Sequence, residues 1–466
     1  MGVAPEQIDI DKIETLEQAL SLIKVLLKRV IALEEENSRL KKNSSNSSKP
    51  PSSDIVKPEE QRRQPGKRKS GAQPGHEGRS RVFFPPERVD TVVERTLSEC
   101  PSCRGLLEKQ ADEQSIIHQV AELRQQPLEI TEFRRHCYWC ESCQKTHYGE
   151  LPVGVAPLQM CGPRLQALMA YMKGNFGASY TALQQFCSEV LVLPISLGAL
   201  GKVIKRTSQA LAVPYNELAL ELPKQELLHI DETGWSDKGK RRWVWIFCNS
   251  ALAYFTIQST RGSTVLRQVL GETFKGAIVS DFYSAYIKYA NARQQFCLAH
   301  LIRDIKFLTT LPDLKTSKCA IKLLSYFRRL FKLWHARSTM SEQELQVKCK
   351  RLRRQLFTFL HSSEIAPGCK TIKNRLVRRW ESLFRFISEP TLIEPTNNHA
   401  ERNLRHLVKI RRLSQGSRSE WGQLWTARIM TTLQSCRLQK RSPWDFLNQA
   451  ISAKLLKVTP PSLVIP

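Results

Sequence analysis

The sequence predicts an α/β protein in which a mixed β-sheet carries a large helical insertion. A coiled coil, a disordered linker, a four-cysteine domain and a helical domain precede the sheet. Three observations carry that expectation. Apolar residues recur with a heptad period near the N-terminus, short β-branched and aromatic runs separated by turn residues occupy 225–305, and the segment 306–390 reads as helix rich in Arg and Lys.

The first element spans residues 13–40. Leu16, Ile23, Val30 and Asn37 fall at heptad position a, and Ala19, Leu26, Leu33 and Leu40 at d. β-Branched residues at a with Leu at d favour a parallel two-stranded coil, and one Asn at a fixes its register. The segment is therefore expected to make a homodimer or a higher oligomer. The competing reading is an amphipathic helix docked on the body of its own chain.

Residues 41–85 follow as a basic linker. KKNSSNSSKPPSSD and QRRQPGKRKSGAQPGHEGRSR hold Ser, Pro, Gly and charge but almost no apolar side chain to offset the entropy of ordering. Lys67, Arg68 and Lys69, with Arg62, Arg63, Arg79 and Arg81, make its second half either a DNA-tracking arm or a plain tether. A basic-zipper factor carries its basic region before the coil, so that reading fails. Over the 466 residues, 71 Lys and Arg stand against 44 Asp and Glu, a formal net charge of +27. An excess of that size favours a polyanion, with nucleic acid first. It is silent about chemistry.

Residues 90–155 contain Cys100-Pro-Ser-Cys103 and Cys140-Glu-Ser-Cys143, two C-x-x-C pairs with 37 positions from Cys103 to Cys140. Strand-like ITEFRRHCYW leads into the second pair. Paired knuckles suit one structural Zn2+ held by four thiolates, with His136 and Cys137 as spare ligands. The 13 cysteines are an odd count spread along a basic chain, which argues for thiols or metal ligands over disulfides. The start of the chain lacks the basic and apolar regions of a signal peptide. The uncharged window Trp243–Thr260 is better read as a hairpin than as a membrane span.

Residues 160–220 are expected to be helical, with Leu165, Leu168, Met169 and Met172 on one stripe and Pro194-Ile195-Ser196 as turn and N-cap of a later helix. Helix, turn and helix bearing Lys202, Lys205 and Arg206 form a candidate DNA-binding motif, although most such patterns are ordinary packing.

Residues 225–305 read as strands. LLHID ends its apolar run on Asp231, RRWVWIFCNS and ALAYFTIQST form a hairpin beside it, and KGAIVSDFYSAY repeats the pattern with an apolar run ending near Asp281. A helix over 263–271 fits between them. Three strands followed by a fourth that bears a second acid is the ribonuclease-H-like order. Adjacent strands set the two carboxylates side by side, where like charges are costly unless a cation neutralises them. Strand alternation turns Glu232 to the opposite face, so Asp231 is the preferred candidate.

A third acid is expected from a helix in 391–425. TNNHAERNLRHLVKIRR starts after Pro395, and Glu401, Leu404 and Val408 share one face. A carboxylate on an apolar stripe needs a partner, either Arg405 one turn on or a metal. Arg402, Arg405, His406, Lys409 and Arg411 are available to phosphates. Asp231, Asp281 and Glu401 supply the hard oxygen ligands that two Mg2+ (or Mn2+) ions require.

The zipper with its NSSNSSKPPSSD tail, GAQPGHEG, the cysteine knuckles, HIDETGW, SDFYSAY, CLAHLIRD and NNHAERNLR resemble the transposase of bacterial insertion sequences of the sixty-six family, over residues 16 to about 420. The resemblance implies a DDE recombinase with catalytic and metal-binding Asp231, Asp281 and Glu401, and a helical insertion inside the 120 positions from Asp281 to Glu401. It also implies zinc at Cys100, Cys103, Cys140 and Cys143, DNA ends and target DNA as partners, companion proteins of the same element, and a bacterial cytoplasm. Cys297 and His300 form a C-x-x-H pair similar to those near other transposase sites, read as structural or substrate-positioning. The tail 426–466 departs from the pattern. Two rivals stand beside this reading: a structure-specific nuclease on the same fold, and a non-catalytic zinc-containing DNA-binding protein.

Overall fold

The computed structural model of the chain describes residues 15–40, 83–94, 97, 101–105, 117–124, 126–155, 159–289 and 293–465. The chain divides into two compact units, Met1–Glu59 with Phe133–Pro466, and Glu60–Glu132. Most of the expected linker, including Lys67, Arg68 and Lys69, lies outside the described residues, as does Cys100.

In the smaller unit, Pro86–Arg88 form one 3-10 turn. The Gln119 amide pairs with both backbone groups of Phe84, and Arg124 meets Asp90 at 3.0 Å.

The larger unit begins with α1 (Leu16–Leu40), a helix with no buried residue. A hairpin of β1 (Cys137–Cys140) and β2 (Lys145–Tyr148) follows, antiparallel, with Cys137 opposite Tyr148. The strand-like run from Ile130 contributes only its last residues to β1, because residues 130–136 find no strand partner among the described residues.

Four helices come next: α2 (Pro163–Tyr171), α3 (Tyr180–Glu189), α4 (Leu197–Ala210) and α5 (Ala212–Glu221). Ser179 and Ser196 cap α3 and α4 by accepting from the N–H three residues on. Ala167, Ala170, Ile204, Leu211 and Leu218 join one continuous core with the sheet. These helices are thus packed into the body of the unit.

The sheet has five strands: β3 (Leu227–Asp237), β4 (Lys240–Cys248), β5 (Ala253–Gln258), β6 (Ala277–Ser280) and β7 (Arg293–Phe296), in the order β5-β4-β3-β6-β7. β3, β4 and β5 pair antiparallel, whereas β6 pairs parallel to β3 and to β7. Parallel neighbours need crossovers, which α6 (Thr264–Leu270) and α7 (Ser284–Lys288) provide. The order is consistent with a ribonuclease-H-like core. One expectation needs correction: the first strand does not stop at the acids. It continues six residues past Asp231 and turns at Lys238-Gly239, both with positive φ (49° and 78°), as a two-residue hairpin turn requires.

The helices α8 (Leu298–Leu308), α9 (Leu314–His335), α10 (Glu342–Leu360), α11 (Lys370–Arg378) and α12 (Trp380–Phe384) follow β7, the first of them starting before residue 306. The chain then returns through α13 (Asn398–Ser414), α14 (Glu420–Leu438) and α15 (Pro443–Leu456). The expected break between 391–425 and a tail at 426–466 falls inside α14, a second correction. The edge strand β5 explains why: Thr431 Oγ1 accepts from Phe255 N, and Ser435 Oγ both accepts from Ala253 N and donates to Ala253 O. An open strand edge with its backbone unpaired is a liability, and α14 closes this one with hydroxyls. No helix among the described residues is long and apolar enough to cross a membrane.

Candidate active site

Asp231 stands in the middle of β3, opposite Ile246 of β4. Between β3 and β6 the register pairs Leu227 with Ala277, Leu228 with Ile278 and His229 with Val279. The same offset of 50 carries Asp231 to Asp281, one residue past the end of β6. Burial pushes the Asp231 carboxyl well above the usual carboxylate range, and Glu232, Asp281 and Glu401, in that order, push it further. Asp281 is also raised by burial, against the pull of the Tyr283 N–H that donates to its Oδ1 at 2.8 Å. Uncompensated negative charge in low dielectric is what a divalent cation relieves, so hard carboxylate oxygens here fit Mg2+.

Glu401 lies in the first turn of α13, where the partial positive charge of the helix N-terminus suits an anion. Among the described residues its neighbours are Arg303, 3.5 Å from Oε1, and His300, whose Nε2 is 3.7 Å from the same oxygen. The expected partner Arg405 is instead exposed to solvent. Asp281 and Glu401 act electrically on Asp231, but the three acids do not meet as tightly as a different trio. Cys297, His300 and Glu401 form the one group of three among the described residues whose ligand atoms all lie within 4.8 Å of one another.

The Glu232 side chain is sealed from solvent. Arg261 lies 2.7 Å from its Oε1, and the Tyr286 hydroxyl donates to Oε2. Arg261 is itself sandwiched, 4.8 Å from the Trp243 ring centre and 3.7 Å from that of Tyr283. Burial first, then Asp281, raises Glu232 to about 7 against the pull of Arg261 and Tyr286.

Asn397, the residue just before α13, ties these elements together. Its Nδ2 donates to Ile230 O at 2.8 Å, its Oδ1 lies 3.2 Å from His229 Nδ1, and its backbone N–H reaches Cys297 Sγ at 3.2 Å. One buried residue thus links the strand of Asp231, through its side chain, to the start of α8, through its backbone N–H, and to the helix of Glu401.

The tentative DNA contacts divide. Lys202 and Lys205 on α4, and Arg402, Arg405 and Lys409 on α13, are exposed, while Arg206 is half-buried. Arg411 is already engaged, donating to Thr233 Oγ1 at 2.8 Å and to Gly234 O. A cavity of about 760 Å³ opens at the start of β3, beside Leu227, His229 and Trp334, and contains none of the three acids.

At the hairpin, Cys140 and Cys143 flank the β1–β2 turn. Backbone and side-chain hydrogen bonds from Cys143, then the Ser142 N–H, hold the Cys140 thiol below its ordinary range, as a zinc-binding knuckle would. Cys143 Sγ is 3.3 Å from His147 Nε2, a neighbour that the C-x-x-C spacing does not reveal. Cys103 belongs to the smaller unit.

A five-strand mixed sheet with carboxylates on two neighbouring parallel strands is consistent with a ribonuclease-H-like class of protein. Residues 159–424 match the Transposase IS66 family, more than half of the chain, and the chain belongs to that family. Residues 3–82 match a family of unknown function. Two uncharacterized proteins of Sinorhizobium fredii are similar. One, y4qI, is 27% identical over 47% of this chain and 44% of its own length, so the match spans less than half of that relative. The other, y4hP, is 22% identical over 78% of this chain and 72% of its own length.

Proposed function

We propose that the chain is a DNA transposase that cuts at the ends of an insertion sequence and joins the freed strand to target DNA, using Asp231, Asp281 and Glu401. The observation that carries the reading is buried Asp231 on β3 with Asp281 just past the end of the neighbouring β6, where burial and then Glu232, Asp281 and Glu401 raise the Asp231 carboxyl. Membership of the transposase family supports it. These three side chains would hold two Mg2+ (or Mn2+) ions, which when bound supply charge neutralisation and activation of the attacking oxygen.

The chain's own groups divide the remaining work. Asn397 holds the strand and the helix that bring Asp231 and Glu401 together, and Arg261 anchors Glu232 behind the site. Lys202, Lys205, Arg402, Arg405 and Lys409 offer exposed cations for phosphates, and α9 and α10 add Arg328, Arg329, Lys332, Lys350, Arg351 and Arg354. The Cys140–Cys143 turn supplies two ligands for a structural Zn2+. The bare stripe of α1 supports pairing with a second copy.

Asp231→Asn and Glu401→Gln are expected to abolish Mg2+-dependent joining of element-end DNA while leaving DNA affinity within about twofold, since neither removes a phosphate contact. Joining that survives either change refutes the assignment. Hydrolysis without any joined product by the unaltered protein points to a nuclease instead.

A further inference from the structure

The tightest cluster of metal-capable side chains is not the acid trio. Cys297 follows β7 and precedes the first residue of α8, and His300 lies three positions on, so the two project from one face of the first turn. Glu401 reaches them from α13, 104 positions later. One ligand atom from each lies within 4.8 Å of the other two.

Cys297 Sγ is fully buried, which pushes its thiol up to about 11, and its place is fixed by the backbone N–H of Asn397, which it accepts at 3.2 Å. The other two side chains are 15% and 28% exposed, so the cluster opens to solvent on the imidazole and carboxylate side. Such a mixture of sulfur, nitrogen and oxygen does not suit Mg2+, which takes oxygen ligands. It suits a borderline ion with three protein ligands and an open fourth position.

We propose that Cys297, His300 and Glu401 form a binding site for a divalent cation of the Zn2+ class, distinct from the Mg2+ positions and sharing Glu401 with them. The site stands on its own geometry, whereas its consequence rests on the function proposed above. On binding, the Cys297 S–H bond breaks, the thiolate joins the ion and one proton leaves to solvent. Arg303, 3.5 Å from Glu401, must swing aside, because its charge opposes the incoming cation. Glu401 bound there no longer serves the catalytic pair, so Zn2+ acts as an inhibitor that competes with Mg2+.

The test uses the full-length protein, stripped of metal and titrated with Co2+, whose thiolate complexes absorb in the near ultraviolet. Unaltered protein and Asp231→Asn are expected to take up one equivalent more than Cys297→Ser or His300→Asn. Cys143→Ser is expected to lose a separate equivalent. In parallel, Zn2+ is expected to inhibit Mg2+-dependent end cleavage, with His300→Asn requiring about 10–100-fold more Zn2+ for the same inhibition. Far-ultraviolet circular dichroism reports whether buried Cys297→Ser still folds, and the more accessible His300→Asn decides if it does not. Equal Co2+ uptake by the unaltered protein and His300→Asn overturns the site. If no protein cleaves DNA, the enzymatic reading fails while Co2+ stoichiometry still decides the metal site.

Discussion

At the scale of single residues, Asp231 and Glu232 show how adjacent carboxyls acquire different tasks. One is acted on by Asp281 and Glu401, and the other is bound by Arg261 and Tyr286. Strand alternation made that division legible, but Arg261 and Tyr286 were not, since they reach Glu232 from 29 and 54 positions away. Burial makes the folded chain bind protons on Asp231, Glu232 and Asp281 more tightly than the unfolded chain does. Their contribution to stability is complete below the ordinary carboxylate range and is lost as pH rises, for Glu232 between 4.5 and about 7. In EDTA, the Tm is therefore expected to fall over that interval, by at most about 1.4 kcal/mol of stability per pH unit for each group. Glu232→Gln should flatten part of the slope, and Mg2+ should raise the Tm more above pH 7 than at pH 5, where protons compete with it. A Tm independent of pH in EDTA would show that these carboxyls are not held protonated by the fold.

At the scale of elements, the geometry depends on where α13 meets β3. The chain leaves α13 through Gln415 in the left-handed region (φ 57°), and Gly416 follows with φ 115°. Ser417 then bridges Asp237: its N–H donates to Ser236 O, and its hydroxyl accepts from Trp235 Nε1 and donates to Asp237 Oδ1. A Cβ at 416 would lie 2.1 Å from Ser236 O, so Gly416→Ala must push α13 off the end of β3. A cost of about 1–3 kcal/mol is expected in urea unfolding. Because α13 carries Glu401, half-maximal cleavage should also need more Mg2+ while DNA affinity holds. Unchanged stability and Mg2+ response would show that this junction does not set the site. From sequence, β3 was expected to stop early because its apolar run ends on Asp231. Pairing with β4 overrode that local signal. Cys297 and His300 were visible as a weak pair, because their third partner lies in a helix that only the fold brings near.

At the scale of the whole molecule, apolar periodicity announced the strands and most helices, while the contribution of α14 and α15 stayed hidden. Thr431 and Ser435 are buried polar residues, and in sequence they argue against a core helix; their use becomes plain only against the backbone of β5. The reverse problem arises at α1, whose pattern was clear and whose apolar side chains stay exposed in its own chain. Leu16 is 78% exposed, Ile23 51%, Leu26 41%, Val30 49% and Leu33 56%, so the heptad seam is not satisfied by docking on the body of the protein. A continuous apolar stripe of that length in water favours a matching stripe from a second copy, with Asn37 at position a selecting a parallel register. Leu26→Lys with Leu33→Lys places two charges in the seam, where each would be desolvated by pairing. Sedimentation is expected to show a dimer for the unaltered protein and a monomer for the double variant. The Tm of the body should stay the same, since α1 buries nothing there. Loss of the dimer should weaken binding to paired element ends far more than binding to a single end, because linkage converts the second contact into an intramolecular one. A monomeric unaltered protein, or a double variant that keeps the dimer mass, would remove α1 from the assembly.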